Sequence, residues 1–196
     1  MPYNRREYAG WIERAGFAKA KDLFAFDVPV PEQVPERVAR MAAKARQRYG
    51  ATVRPLNMKA FAQDLQRVKE VYNSAWDRNW GFVPMTDREI DHMAKQLKPA
   101  VVPELTQFAE IGGATVGFAL VLPNLNEALK PLKGKLFPFG IVRLLLTLPR
   151  VRNTRLMALG IRAEHRRRGI DALLLDAITR AAWKFGSRRC EVGWTL

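Results

Sequence analysis

Cysteine occurs once, at Cys190, so neither an intramolecular disulfide framework nor a multi-cysteine metal site is open to this chain. Histidine is nearly as scarce: His92 and His165 are the only two, which argues against a histidine-rich metal centre. Long apolar runs are missing, and stretches such as 116–122 fall far short of the ~20 residues that span a bilayer as a helix. Residues 1–20 carry charges throughout and no apolar signal core, so an intracellular, cytoplasmic protein is expected. Glycine (13) and proline (12) are at ordinary levels and aromatics reach 10%, which excludes collagen-like and disordered compositions. At 196 residues one sizeable core is the expectation. Acid is the scarce charge: 19 Asp and Glu face 33 Lys and Arg, for a formal net charge of +14. A field of that sign draws polyanions, whether nucleic acid, phosphorylated cofactor or anionic lipid. Most of these cations are spread along the chain as on a solvated surface, and they concentrate only at 150–155 and 162–168.

Periodicity supplies the elements. A short helix over 5–15 stops at Gly16, an extended run covers 17–28, and Pro29, Pro31 and Pro35 mark a connector. Val38, Met41, Ala42, Ala45 and Tyr49 then fall at helical spacing, with arginines opposite, up to Gly50. From Ala51 the pattern becomes mixed: a strand at 52–56, then a helix over 58–77 with Phe61, Leu65, Val68, Tyr72 and Trp76 in one stripe. Thr86 and Glu89 make a capping box that opens a helix to about Lys98. Two apolar runs around Gly112-Gly113 read as a hairpin. Residues 124–150 give broken helical pieces, with an apolar run at 141–148 fit for a flap or a partner surface. A strand at 156–161, a helix at 170–185 and a last strand at 189–195 complete the chain.

The chemistry concentrates in 156–175. A strand runs into the basic turn Arg166-Arg167-Arg168, and Gly169 starts a helix. Free amides at a helix start, its dipole and neighbouring guanidinium groups together suit an anion such as a pyrophosphate. A glycine there leaves the backbone open to a phosphate. Read without its surroundings, the turn is also compatible with a solvent-facing helix start.

This segment, in the order β-α-α-β-β-β-α-β, resembles the GNAT superfamily of acyl-CoA N-acyltransferases. Their pyrophosphate loop, Gln/Arg-x-x-Gly-x-Gly/Ala, maps to Arg166, Gly169 and Asp171, and Leu159 and Ile161 lie on the preceding strand. Asp171 stands where the pattern has a small residue; Ala172 follows it. The resemblance covers 51–196 and implies an α/β (α+β) fold with a mixed, mostly antiparallel central sheet flanked by helices. It implies acetyl-CoA or another acyl-CoA as cofactor. Leu159, Gly160 and Ile161 would hold the pantetheine arm, with Arg166, Arg167, Arg168, Gly169, Ile170, Asp171 and Ala172 around the pyrophosphate. The implied reaction is direct attack of an amine on the thioester, and the acceptor is a small-molecule or peptide amine that the residues do not identify. Trp76, Trp80 and Phe82 border the implied acceptor groove, where they either enclose an apolar substrate or pack a helix end onto the core. The 124–150 insert would act as a lid near it.

No acid or base is assigned. Glu110, beside the Gly-Gly turn, and Glu164 read as surface charges, His92 as a surface or packing residue, and Cys190 as a small buried hydrophobe. Two rival readings follow: a catalytically silent CoA-binding or interaction module, and a basic nucleic-acid-binding protein. The lack of an aromatic-basic strand motif argues against the second. The resemblance also suggests a division of the chain. Residues 1–30 look like the tail of a preceding acyltransferase domain, 31–50 like a connector with an amphipathic helix, and 51–196 like a domain lacking its last elements. In that tail Ile12 occupies the usual acid-tyrosine position and Tyr8 is the nearest substitute. Residues 1–30 are expected to cover the 189–195 strand, within one chain or by swapping in a homodimer.

Overall fold

The computed structural model describes residues 4–77, 79–135 and 137–195. Helix α1 (Glu7–Arg14) precedes strand β1 (Phe24–Pro29), helix α2 (Glu36–Tyr49) and strand β2 (Thr52–Pro55). Helices α3 (Phe61–Trp76) and α4 (Asp87–Leu97) lead into the hairpin of β3 (Thr106–Ile111) and β4 (Ala114–Pro123). Short helices α5 (Asn126–Leu129) and α6 (Gly140–Thr147) fill the insert before β5 (Thr154–Ile161), α7 (Ile170–Phe185) and β6 (Arg189–Thr195). The strands form one sheet in the order β1-β6-β5-β4-β3-β2. Only β5 and β6 run parallel; every other neighbouring pair is antiparallel. This is the mixed, mostly antiparallel sheet expected.

Alternation along β4 sorts the two faces. Ala119 and Val121 turn towards α7, joining Ala42 and Ala45 of α2 and Ile170, Leu173 and Leu174 of α7 in one cluster. Phe118 turns the other way, with Phe108, Val71 and Ala75 under α3. Fully burying the valine, leucine, isoleucine and phenylalanine side chains among these stabilises the fold by roughly 1.5–3 kcal/mol each. The amphipathic helix read as part of a connector therefore shares a core with α7. Arg46 of α2 also donates to the buried Asp176 of α7 at 2.9 Å.

Some details differ from the sequence expectations. The extended run at 17–28 forms a strand only from Phe24, where β6 offers a pairing partner. The fully buried residues of α3 are Asp64, Val71 and Ala75, while the expected stripe lies half-buried along the margin. Phe108 and Phe118 fill the space beneath the helix, so its closest contact uses small side chains. Glu110 is not a free surface charge: Arg54 Nε donates to it at 2.8 Å. The same guanidinium forks onto Asp64 at 2.7 and 2.9 Å, and Arg67 and the Asn57 amide complete that carboxylate's partners. The Thr86 capping box forms as read. Tyr3, Arg78, Leu136 and Leu196 lie outside the described residues.

Candidate functional site

The sheet opens between its two parallel strands. β5 and β6 pair only at Thr154↔Cys190, Arg155↔Glu191 and Leu156↔Val192. Two buried hydroxyls pin the start of this fork: Ser187 Oγ donates to the Arg189 carbonyl at 2.9 Å and accepts from Thr154 Oγ1 at 3.0 Å. Immediately beyond, the β4–β5 register slips between Leu120↔Ala158 and Val121↔Leu156, leaving Met157 as an unpaired bulge. A bulge bends its strand and re-aims it. β6 meanwhile pairs with β1 on its far side, Ala25 opposite Gly193 and Phe24 opposite Thr195. The β6-facing edge of 157–161, which includes the predicted Leu159, Gly160 and Ile161, is thereby free of strand partners among the described residues. An extended ligand with amide groups can pair along such an edge.

At the C-terminal end of β5 the chain turns into α7. Gly169 caps the helix with φ 76°, and no side chain satisfies the first-turn amides among the described residues. Those amides and the dipole of a 16-residue helix make an environment that suits a negative charge. Gly169 also meets a packing need that the sequence does not announce. A Cβ at Gly169 would lie 3.0 Å from the Met41 carbonyl oxygen and 3.5 Å from the Ala45 Cβ, so the open space admits α2. Ala172 is buried, and Asp171 is exposed in the first turn.

The three consecutive arginines take different places. Arg166 donates to the Ala75 carbonyl at 2.7 Å and ties the loop to the end of α3. Arg167, at φ 60°, and Arg168 face a cleft of about 440 Å³ shared with Lys44, Arg48 and Tyr49 of α2. Arg48 and Arg168 lie 5.5 and 5.4 Å from the Tyr49 ring centroid. Sequence reading missed this contribution of α2. Lys44 and Arg48 are one helical turn apart, but no local pattern announces that their helix docks beside Gly169.

The predicted acceptor aromatics are only partly brought together. Trp76 lies against Gly160, with its ring 4.8 Å from Tyr72 and 6.1 Å from Phe118 by centroids. Phe82 reaches the same group through Tyr72 at 5.9 Å, whereas Trp80 is exposed. Burial pushes the Tyr72 hydroxyl above its usual range, so it stays protonated at neutral pH. Burial likewise raises the Cys190 thiol, which favours its protonated form. A carboxylate not singled out in the sequence, Glu191, stands at the fork and pairs with Arg155 at 3.1 Å.

Solved structures that superpose on this chain carry the same architecture, and its fold is the GNAT-like α/β fold. The match to a GCN5-related N-acetyltransferase from Sphaerobacter thermophilus has a TM-score of 0.62 at 17% identity, covering 96% of this chain and 47% of that one. In sequence, the chain is 37% identical over 196 residues to a bacterial ceramide synthase of Caulobacter vibrioides, covering 96% of this chain and 51% of that protein. It is 35% identical over 203 residues to Protein YghO of Escherichia coli, covering 100% of this chain and 52% of that protein. The chain thus spans about half the length of the curated relatives it matches. No family model matches it.

Proposed function

We propose that this chain binds an acyl-CoA and takes part in transferring the acyl group to an amine. The observation that carries this reading is the fork: a bulged, partner-free strand edge leads directly into an uncapped, glycine-started helix beside a cationic cleft. Pantetheine amides suit the edge, the pyrophosphate suits the α7 amides, and the remaining phosphate suits Lys44, Arg48, Arg167 and Arg168. The bound thioester would then lie near Met157. In the reaction the amine nitrogen bonds to the thioester carbon, the carbon–sulfur bond breaks, and the amine's proton leaves. The thiolate takes up a proton to give free CoA.

A long acyl chain and a lipid amine are the substrates best supported. β5 spans roughly 25 Å, with the basic loop at one end and the apolar insert at the other. The ceramide synthase among the relatives points the same way, since a ceramide is an N-acylated long-chain amine. Residues 1–30 as the tail of a further acyltransferase unit belong to the same proposal.

The test has two stages. CoA and palmitoyl-CoA should raise the melting temperature of the chain, and an oligonucleotide should not. Amide formation is then followed by mass spectrometry over long-chain amino alcohols, short amines and peptides. No shift with either CoA compound at saturation removes the cofactor assignment. The Arg155–Glu191 pair, which occupies the carboxylate at the fork, favours a second reading as a non-catalytic CoA-binding module. Binding without transfer to any amine supports that reading.

A further inference from the structure

The chain leaves the sheet at Asn124 and returns at Asn153, where the Asn124 amide donates to the Asn153 carbonyl at 2.8 Å. The excursion is anchored by the buried Ala128, Leu132 and Val151. Helix α6, at its outer part, has no buried residue. Leu144, Thr147 and Leu148 lean inward and are half-buried. Ile141, Val142, Leu145 and Leu146 form the opposite stripe and are 46%, 53%, 63% and 65% exposed. Phe137 and Phe139, just before the helix, are 82% and 79% exposed. A contiguous apolar surface of this kind marks a docking site.

Charge decides the occupant. Lys130, Lys133 and Lys135 precede the apolar stripe, Arg143 sits on the helix, and Arg150 and Arg152 follow; all are exposed. No Asp or Glu occurs anywhere from Ala128 to Ala163. A second copy docking through the same face would set these cations against themselves across a two-fold axis. An apolar stripe bracketed by cations instead matches a surface that is oily within and anionic at its boundary. An anionic bilayer is that surface: apolar side chains enter the acyl boundary while lysine and arginine reach the phosphates. Among the described residues no helix is long and apolar enough to cross a membrane, so the contact lies in the plane of one leaflet. At about 12 Å, α6 is the right size for a small interfacial wedge. We infer that residues 130–135 and 137–152 form a finger that seats the protein on an anionic lipid bilayer. The inference is independent of whether acyl transfer occurs.

Flotation of the full chain with lipid vesicles tests it. The chain floats with phosphatidylcholine vesicles in which about a third of the lipid is phosphatidylglycerol, and much less with phosphatidylcholine alone. Leu145→Gln with Leu146→Gln leaves the net charge and the buried core untouched, and lowers the partition coefficient about tenfold or more. Lys133→Gln with Lys135→Gln lowers it about tenfold. Arg37→Gln with Arg40→Gln, which removes the same charge from the exposed face of α2, changes it by no more than about twofold. Circular dichroism confirms that each variant is folded. The inference is overturned if the chain does not float with anionic vesicles, or if the leucine variant floats as well as the parent. It is equally overturned if the α2 pair matters as much as the finger pair, since overall basicity would then explain the binding. Light scattering that shows a dimer dissolved by the leucine substitutions would reassign the face to a second copy.

Discussion

Replacing Gly160 by alanine probes the contact between the fork and α3. The new methyl would lie 2.5 and 2.6 Å from two ring carbons of Trp76 and 3.0 Å from the Ala75 Cβ. The indole cannot simply rotate away, because Tyr72 and Phe118 flank it at 4.8 and 6.1 Å between centroids. Either α3 moves off the sheet or the indole takes a strained rotamer, and overpacking of this kind costs about 1–3 kcal/mol. With two contacts well inside van der Waals distance, about 2 kcal/mol is expected, which corresponds to a fall in Tm of about 4–8 °C for a domain of this size. Urea unfolding of Gly160→Ala, Trp76→Leu and the double variant makes the cause measurable. The alanine should cost little once the indole is gone, giving a coupling of about 1–2 kcal/mol. Gly160→Ala within about 0.5 kcal/mol of the parent, or strictly additive effects, would refute the contact as described.

Three further outcomes follow from the geometry. Gly169→Ala places a side chain at φ 76° and against the Met41 carbonyl, so it should lower stability by about 1–3 kcal/mol and weaken any CoA-induced thermal shift; an unchanged urea midpoint would count against the α2–α7 approach. Lys44→Gln with Arg167→Gln removes two exposed cations from the cleft and should weaken CoA binding by about tenfold in calorimetry while leaving unfolding unchanged. Burial opposes the charge on Asp64 and Asp176, yet arginine hydrogen bonds, aided at Asp64 by the Asn57 amide, hold both carboxyls below their usual range. Their contribution is therefore complete above the unfolded carboxylate range, near pH 4, and is lost as pH falls through the lower folded values. Unfolding midpoints should drop on acidification through that window, and Asp64→Asn should flatten the drop.

What was legible in the sequence was local. The helix at Ile170–Phe185 and the strand at Arg189–Thr195 were readable from end to end because apolar periodicity and glycine stops mark them. The hairpin around Gly112-Gly113 and the Thr86 cap are likewise written in a few adjacent residues. The proposed cofactor segment stood out because strand, basic turn and helix start are contiguous. The missed features join distant parts of the chain. Nothing near Lys44 indicates that α2 lies beside Gly169, and nothing near Glu110 reveals Arg54 across the β2–β3 pair. The fork itself is a register event between strands. Single-sequence periodicity has no signal for the slip that frees Met157.

The pairing of β1 with β6 has a consequence for how the molecule is made. Thr195 donates its hydroxyl to the Phe24 carbonyl across 171 residues of chain, so β1 has to wait for all the chain between them before it meets β6. Contacts of such sequence separation pay their loop-closure entropy late and slow folding. During translation β1 is an unpaired edge bearing Phe24 and Phe26, the kind of segment that invites association between nascent chains. The Lys19–Asp22 ion pair just upstream and Pro29 at the strand's end place charge and a ladder-breaking residue on either side of it. Folding yield in a cell-free system should therefore depend on translation conditions more steeply than the finished fold's stability would suggest.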